Sequence, residues 1–254
     1  MCLITFAYRN HPNYSLILLA NRDEFYGRPT RKAQFWTEEG YPDILAGKDL
    51  EAGGTWMGVN KNGCWAALTN HRDLKNLKEK APSRGELSID FLNSEYSASQ
   101  YLSLIQESAH LYNGFNLLVG DKEGVFHYSN YSNEITAITS GVHGLSNALL
   151  NTSWPKLEIA KSALSHNIDQ NKIDRNSLFD ILMNESRAKE TELPETGLTK
   201  GMEKAISSIF INTENYGTRC STLLLIDNTG NIEFTERQYK ANSSAIIDEQ
   251  SFQF

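Results

Sequence analysis

Met1-Cys2-Leu3-Ile4-Thr5-Phe6-Ala7-Tyr8 opens the chain. After a turn at His11-Pro12-Asn13-Tyr14 comes Ser15-Leu16-Ile17-Leu18-Leu19-Ala20, followed at once by Asn21-Arg22-Asp23-Glu24. This stretch decides the fold. Residues 3–8 have the apolar and β-branched content of a strand, and Pro and Asn favour the turn. Residues 15–20 are apolar on both alternating faces, which predicts a strand buried on both sides. A hairpin of the two runs antiparallel, so the polar end of the second strand, Asn21 to Glu24, returns beside Cys2.

Further along, Gly53-Gly54 precedes an expected strand over 55–59. Lys61-Asn62-Gly63 then turns into another over 64–69, since Asn-Gly between apolar runs signals a hairpin. The period changes over 83–109, where Leu87, Ile89, Phe91, Leu92, Tyr101, Leu102, Leu104 and Ile105 fit one or two helices. Ser83 with Glu86 three residues on resembles a capping box. Strands return over 116–120 and 125–128, with a weaker one over 135–139. Trp154-Pro155 opens a helix carrying Leu157, Ala160 and Leu164, and 175–183 continues as a second. Residues 191–201 read as a mobile loop, and 221–226 and 232–235 as a closing hairpin around Asp227-Asn228-Thr229-Gly230. With no linker and no internal repeat, the order predicts a single domain over 1–254: antiparallel strands form the core and helices cover it. Two antiparallel sheets between helical layers fit that order.

The 254 residues carry 24 Lys+Arg against 31 Asp+Glu, a net charge of −7. That balance argues against a nucleic-acid partner, which needs a basic footprint. The longest apolar run, Leu16 to Ala20, is far below the ~20 residues of a membrane-spanning helix. No basic region precedes the first apolar stretch, which Arg9, Asn10 and His11 end early, so a signal peptide is not expected and the protein reads as cytoplasmic. Cys2, Cys64 and Cys220 are odd in number and far apart, with no CxxC pair; neither a metal site nor a disulfide framework is expected. The phosphate-binding motifs GxGxxG and GxxxxGK[ST] are missing. Gly144-Leu145-Ser146-Asn147-Ala148 approaches the GxSxG nucleophile elbow. That elbow needs a strand–turn–helix in a parallel sheet, and the strands here look antiparallel.

Cys2 has two readings. Small enough at position two to allow removal of Met1, it would then carry a thiol and a free α-amine on one residue. The amine has a pKa of about 7.7–8.0 and the thiol about 8.5, so nucleophile and base arrive together. Alternatively it is an ordinary buried cysteine at the start of a strand. Asn21-Arg22-Asp23-Glu24 likewise divides. A guanidinium near Cys2 favours its thiolate and a carboxylate orients its ammonium. The other reading is a surface turn with an ion pair worth under ~1 kcal/mol.

Met1-Cys2 together with Asn21-Arg22-Asp23-Glu24 resembles the NRDE family, also called the transport-and-Golgi-organisation proteins. The further marks are Gly53-Gly54-Thr55-Trp56, Gly58-Val59-Asn60, Thr69-Asn70-His71-Arg72, Gly144-Leu145-Ser146-Asn147 and Tyr216-Gly217-Thr218-Arg219-Cys220-Ser221-Thr222. They span about residues 1 to 235. The resemblance implies the fold of N-terminal-nucleophile hydrolases, a four-layer αββα sandwich, nearest in outline to the choloylglycine-hydrolase and penicillin-acylase group. It implies Cys2 as nucleophile and base, with Arg22 and Asp23 supporting it. Asn70 and Asn147 become oxyanion donors, and Arg219 faces the same cleft. The substrate class is a small acyl or amide compound, with no cofactor. One departure stands out: the group spaces its Arg and Asp three apart, whereas here they are adjacent, and adjacent side chains on a strand point opposite ways. Family members are also linked to haem trafficking and to lipid or acyl-CoA metabolism. A haem carrier needs an axial ligand, for which His71 and His143, next to the Asn70 and Asn147 motifs, are the candidates; each also reads as a surface histidine. Phe25, Tyr26, Trp56 and Trp65 could line an apolar site or belong to the core.

Overall fold

The computed structural model describes residues 2–254. It contains two compact units, one made of the residues up to Gly27 together with Ser140–Phe254, the other of Arg28–Thr139. The chain begins the first unit with β1 (Cys2–Tyr8) and β2 (Tyr14–Phe25). It then builds the whole second unit: β3 (Thr30–Trp36), β4 (Tyr41–Asp49), β5 (Met57–Asn60), β6 (Trp65–Asn70), α1 (Arg84–Leu92), α2 (Ala98–Ser108), β7 (Phe115–Gly120), β8 (Val125–Ser129) and β9 (Glu134–Ala137). It returns with β10 (Gly141–Leu145), α3 (Pro155–Asp169), α4 (Arg175–Leu182), α5 (Lys200–Ala205), β11 (Tyr216–Asp227), β12 (Ile232–Tyr239) and β13 (Ile246–Gln253). The fold class is α+β, with two antiparallel sheets and five α-helices among the described residues.

In the first unit the strand order is β10-β1-β2-β11-β12-β13. The return of the chain inserts β10 on one side of the opening hairpin and β11 on the other, so β1 and β2 become central strands. Alternation then sorts their side chains. Leu3, Ala7, Ile17 and Leu19, with Leu223 and Leu225, pack on Leu157, Ala160 and Leu164 of α3 and Leu178, Phe179 and Leu182 of α4. Each such fully buried aliphatic side chain contributes about 1.5–3 kcal/mol. Ile4, Phe6, Leu18 and Leu224 point to the other face and are equally buried. The apolar runs are thus buried on both faces, as their lack of alternation predicts.

The second unit orders its strands sequentially, β3 through β9. Leu68, Leu117, Val119 and Tyr128 meet Leu87, Phe91, Tyr101 and Leu102 of α1 and α2. The Gly53-Gly54 motif is structural. Gly53 turns the chain at φ +85°, and a Cβ on Gly54 would strike the backbone of Gly85 at the start of α1.

Several expectations change. β2 does not end at Ala20; it runs on through Phe25 because both neighbours keep pairing with it. Ser83 makes no side-chain cap on α1; the reciprocal bond appears at α2, where Gln100 Oε1 accepts from Ser97 N–H at 3.0 Å. The stretch 191–201 begins within a short 3₁₀ turn, Glu190–Glu192, and ends in the first turn of α5, which starts at Lys200. Gly144–Ala148 leaves an antiparallel strand and no helix starts until Pro155, so the serine elbow is excluded.

Candidate active site

The hairpin register sets the site. Cys2 pairs with Arg22 on β1–β2, and Arg22 pairs with Cys220 on β2–β11. Residues directly opposite in a ladder share a face, so the thiol, the guanidinium and the second thiol form one row across three central strands. The two cysteines are two strand spacings apart, about 10 Å, beyond disulfide reach of about 7 Å; all three cysteines are free. Arg22 is buried although charged.

Asp23 sits on the opposite face from Arg22, as alternation requires. Its carboxylate accepts from Thr218 Oγ1 at 2.7 Å, and the ammonium of Lys156, at the start of α3, is the largest opposite charge acting on it. Burial pushes the Asp23 carboxyl up, and Lys156 and Thr218 pull it back. Asp23 nevertheless reaches Cys2 through the main chain, its backbone N–H pointing at the sulfur. Adjacent spacing therefore splits the pair: Arg22 offers its side chain on the nucleophile's face, and Asp23 offers its amide there and its charge from behind.

Cys2 keeps part of its surface, yet burial raises its thiol above the ordinary value. The Asp23 charge adds to the rise; the Arg22 guanidinium and the Asp23 amide oppose it. Cys220 is fully buried and pushed up further, its thiol donating to Glu236. Of the two thiols in this row, Cys2 is the one that keeps exposed surface.

The turn after β10 brings Asn147 to the same end of β1. Leu145 pairs with Ile4, and Ser146 Oγ donates to the Cys2 carbonyl at 3.2 Å and lies 3.4 Å from Asn147 Oδ1. Gly144 has no Cβ because Leu157 of α3 occupies that space. Arg219 is the extra residue of a bulge between Thr218 and Cys220, which re-aims it toward the end of β2. Its Nη1 donates to the Phe25 carbonyl at 2.9 Å, and burial together with the Arg22 charge holds its guanidinium below the usual value. Asn21 belongs elsewhere: on the helix side its Nδ2 donates to the carbonyls of Leu182 and Ile209, and Ser221 Oγ donates to its Oδ1.

Asn70 ends β6 and His71 follows it, both in the second unit. The His71 ring stacks on Tyr131, centroids 3.9 Å apart, and burial lowers its pKa. His143 pairs with Phe6, about 13 Å along β1 from Cys2; its ring stacks on Phe6 and its Nδ1 lies 3.1 Å from Asn151 Nδ2. Trp65 is core, its ring over Gly120, whereas Phe25 is exposed with its edge to Tyr216. Among the described residues no cluster of three His, Cys, Asp or Glu could hold a metal, and no helix is long and apolar enough to cross a membrane. Removal of Met1 concerns a residue outside the described ones. Sequence reading missed Lys156 and the bond that Ser146 makes to the Cys2 carbonyl; the signal for the first is a lysine directly after the Trp154-Pro155 helix start, where the helix dipole disfavours a cation.

A profile of the family described as Transport and Golgi organisation 2 matches residues 1–241. The chain belongs to that family. The mouse protein "Transport and Golgi organization 2 homolog" is 35% identical over all of this chain and 99% of its own length, and the human homologue 34% over the same shares. The Drosophila protein of the family is 25% identical over 93% of this chain and 91% of its own. Among solved structures, the C2A mutant of a conjugated bile acid hydrolase from Clostridium perfringens superposes with TM-score 0.53 at 10% identity, covering 99% of this chain and 97% of that one. The family member described here thus has an N-terminal-nucleophile-hydrolase-like fold.

Proposed function

We propose that the protein is a cysteine amidohydrolase or acyltransferase acting on a small acyl or amide compound through Cys2. The observation that carries this reading is the register pair of Cys2 with Arg22, which sets a partly exposed thiol beside a buried guanidinium and against the Asp23 amide. Support comes from the bile acid hydrolase with the same fold, whose C2A mutation replaces a cysteine at its own position two.

The chemistry requires Cys2 to carry a free α-amine. That amine takes the thiol proton, and the sulfur attacks the acyl carbonyl, forming the C–S bond. Asn147, in the same unit as Cys2, is the candidate to donate to the resulting oxyanion. The C–N bond breaks, and the leaving amine departs with the proton from the α-ammonium. Water, or an acceptor amine in the transferase case, attacks the thioester and restores the thiol. Arg22 and Arg219 add positive charge around the developing anion.

Intact mass of protein purified from cells is expected to show Met1 removed and the amine free. Cys2→Ala abolishes release of amine from a panel of N-acyl compounds, and an acyl electrophile labels Cys2 ahead of Cys64 and Cys220. Retained Met1, or equal labelling of the three thiols, defeats the reading. A haem titration whose Soret shift disappears in His71→Ala or His143→Ala would then favour the carrier role instead.

A further inference from the structure

Large apolar side chains left in water are ordinary when scattered and informative when gathered. One end of the second unit gathers four: Leu74 is 45% exposed, Leu77 60%, Leu111 53% and Tyr131 58%. Here β6 ends at Asn70, α2 gives way to a 3₁₀ turn over Ala109–Leu111, β7 begins at Phe115 and β8 ends at Ser129. Hydrogen bonds tie the three connections together. His71 N–H donates to the Gly114 carbonyl at 2.9 Å, and the His71 ring stacks on Tyr131. Lys78 N–H donates to Asn113 Oδ1 at 2.8 Å, and Asn113 Nδ2 donates back to the Lys78 carbonyl at 3.1 Å. Asn130 Nδ2 donates to the carbonyls of Ala109 and Asn113 at 3.1 and 3.3 Å. Leu77, Leu111 and Tyr131 are chain neighbours of these bonded residues, so they stand around one spot. Asp73 closes the tip of the loop that carries Leu74, accepting from Lys75 N–H at 3.2 Å and from Asn76 Nδ2 at 2.7 Å.

The charge at this end is the reverse of the chain's. Residues 71–84 carry five Lys and Arg against two Asp and Glu, in a protein of net charge −7. Among the described residues Lys75, Lys78 and Lys80 form no ion pair; Lys78 Nζ donates to the carbonyls of His110 and Tyr112 instead. We propose that this end of the second unit docks on a bilayer rich in anionic lipid. Leu74, Leu77, Leu111 and Tyr131 enter the boundary between headgroups and acyl chains, and Lys75 and Lys80 meet the negative headgroups, with the Lys78 charge beside them. Apolar and cationic residues alternate along the loop as Leu74, Lys75, Leu77, Lys78 and Lys80, and a bilayer takes both kinds at neighbouring depths. An extended peptide adds to an open strand edge, and β6, β7 and β8 are each paired on both sides. The surface is independent of the reaction proposed at Cys2.

Co-sedimentation of the full chain with phosphatidylcholine vesicles, with and without about 30% phosphatidylserine, tests this. Binding to the mixed vesicles alone is expected. It weakens when salt is raised from about 0.1 to 0.5 M, because the screening length shrinks. Lys75→Gln/Lys80→Gln should weaken it roughly 20-fold, at about fivefold per lysine. Leu74→Ser/Leu77→Ser should weaken it roughly tenfold or more, with the unfolding midpoint unchanged because both side chains are exposed. Lys172→Gln/Lys240→Gln, the same loss of charge at exposed positions of the first unit, should bind as the parent does. Failure of the parent to bind mixed vesicles, binding unaffected by the leucine pair, or equal losses from the two lysine pairs overturns the proposal. Capture on immobilised polyglutamate without vesicle binding also overturns it, and would mark an acidic protein partner.

Discussion

Each sheet has a buried polar row, and the two are built differently. In the second unit Thr69, Asn116 and His127 form a neutral chain: Asn116 Nδ2 donates to Thr69 Oγ1 at 3.1 Å, and His127 Nε2 lies 3.2 Å from Asn116 Oδ1. In the first unit, at similar burial, the row and its reverse face hold a thiol, a guanidinium, a carboxylate and an ammonium. A neutral row can be closed by pairing amide to hydroxyl, and it then fixes register and little else. A charged row at the same depth demands exact partners and stays electrostatically active toward anything that enters. The contrast sets the charged groups in the first unit, beside the partly exposed Cys2.

The largest expected effect is on the charged row. Asp23→Leu takes from the buried Lys156 the carboxylate charge it acts on, and breaking a buried pair from one side costs about 3–5 kcal/mol. Urea unfolding should show a loss of that size; a loss under about 1 kcal/mol would mean the row is less tightly coupled than its burial implies.

The neutral row carries the next effect, and it depends on pH. Burial lowers the His127 imidazole to about 4, from an ordinary value near 6.5. A depressed histidine is neutral in the folded protein while the unfolded chain takes up a proton below about 6.5, so the stability it contributes is complete above that pH. It is lost as pH falls toward about 4, by about 3 kcal/mol in all. His127→Gln keeps an amide in the row and should flatten this part of the stability profile. An equal slope in the variant would place the titrating group elsewhere.

The sequence carried the opening hairpin because two apolar runs without alternation can only be central strands, and antiparallel return alone puts Arg22 beside Cys2. The reach of β2 through Asn21–Phe25 was hidden, since a polar run ends the hydropathy signal while ladder pairing on both sides continues. β3 and β4 escaped for a related reason: Arg31, Lys32, Asp43 and Lys48 interrupt the pattern, β3 buries only the scattered Ala33 and Trp36, and the buried run of β4 is confined to residues 44–47. β13 is an edge strand with no buried residue, so no periodicity reports it. In the site, Cys2, Arg22 and Asn147 were legible from hairpin geometry and motif, but Lys156 was not, because a lysine at a helix start reads as solvated until its burial is seen.

The smallest stability effect belongs to Cys2 itself. The side chain is partly exposed, its polar partner is a backbone amide, and the pairing of its main chain with Arg22 and the bond from Ser146 to its carbonyl do not involve the sulfur. Cys2→Ala removes one sulfur and leaves those contacts in place, so its unfolding midpoint should stay within about 1 kcal/mol of the parent. That outcome separates the two readings of the residue. A packing cysteine at the start of a central strand should leave a cavity and cost about 2 kcal/mol or more when truncated, with no effect on acyl chemistry. A nucleophile should do the opposite, removing turnover while the fold stands. A large destabilisation with hydrolysis intact would return Cys2 to the core and leave the charged row without the group it serves.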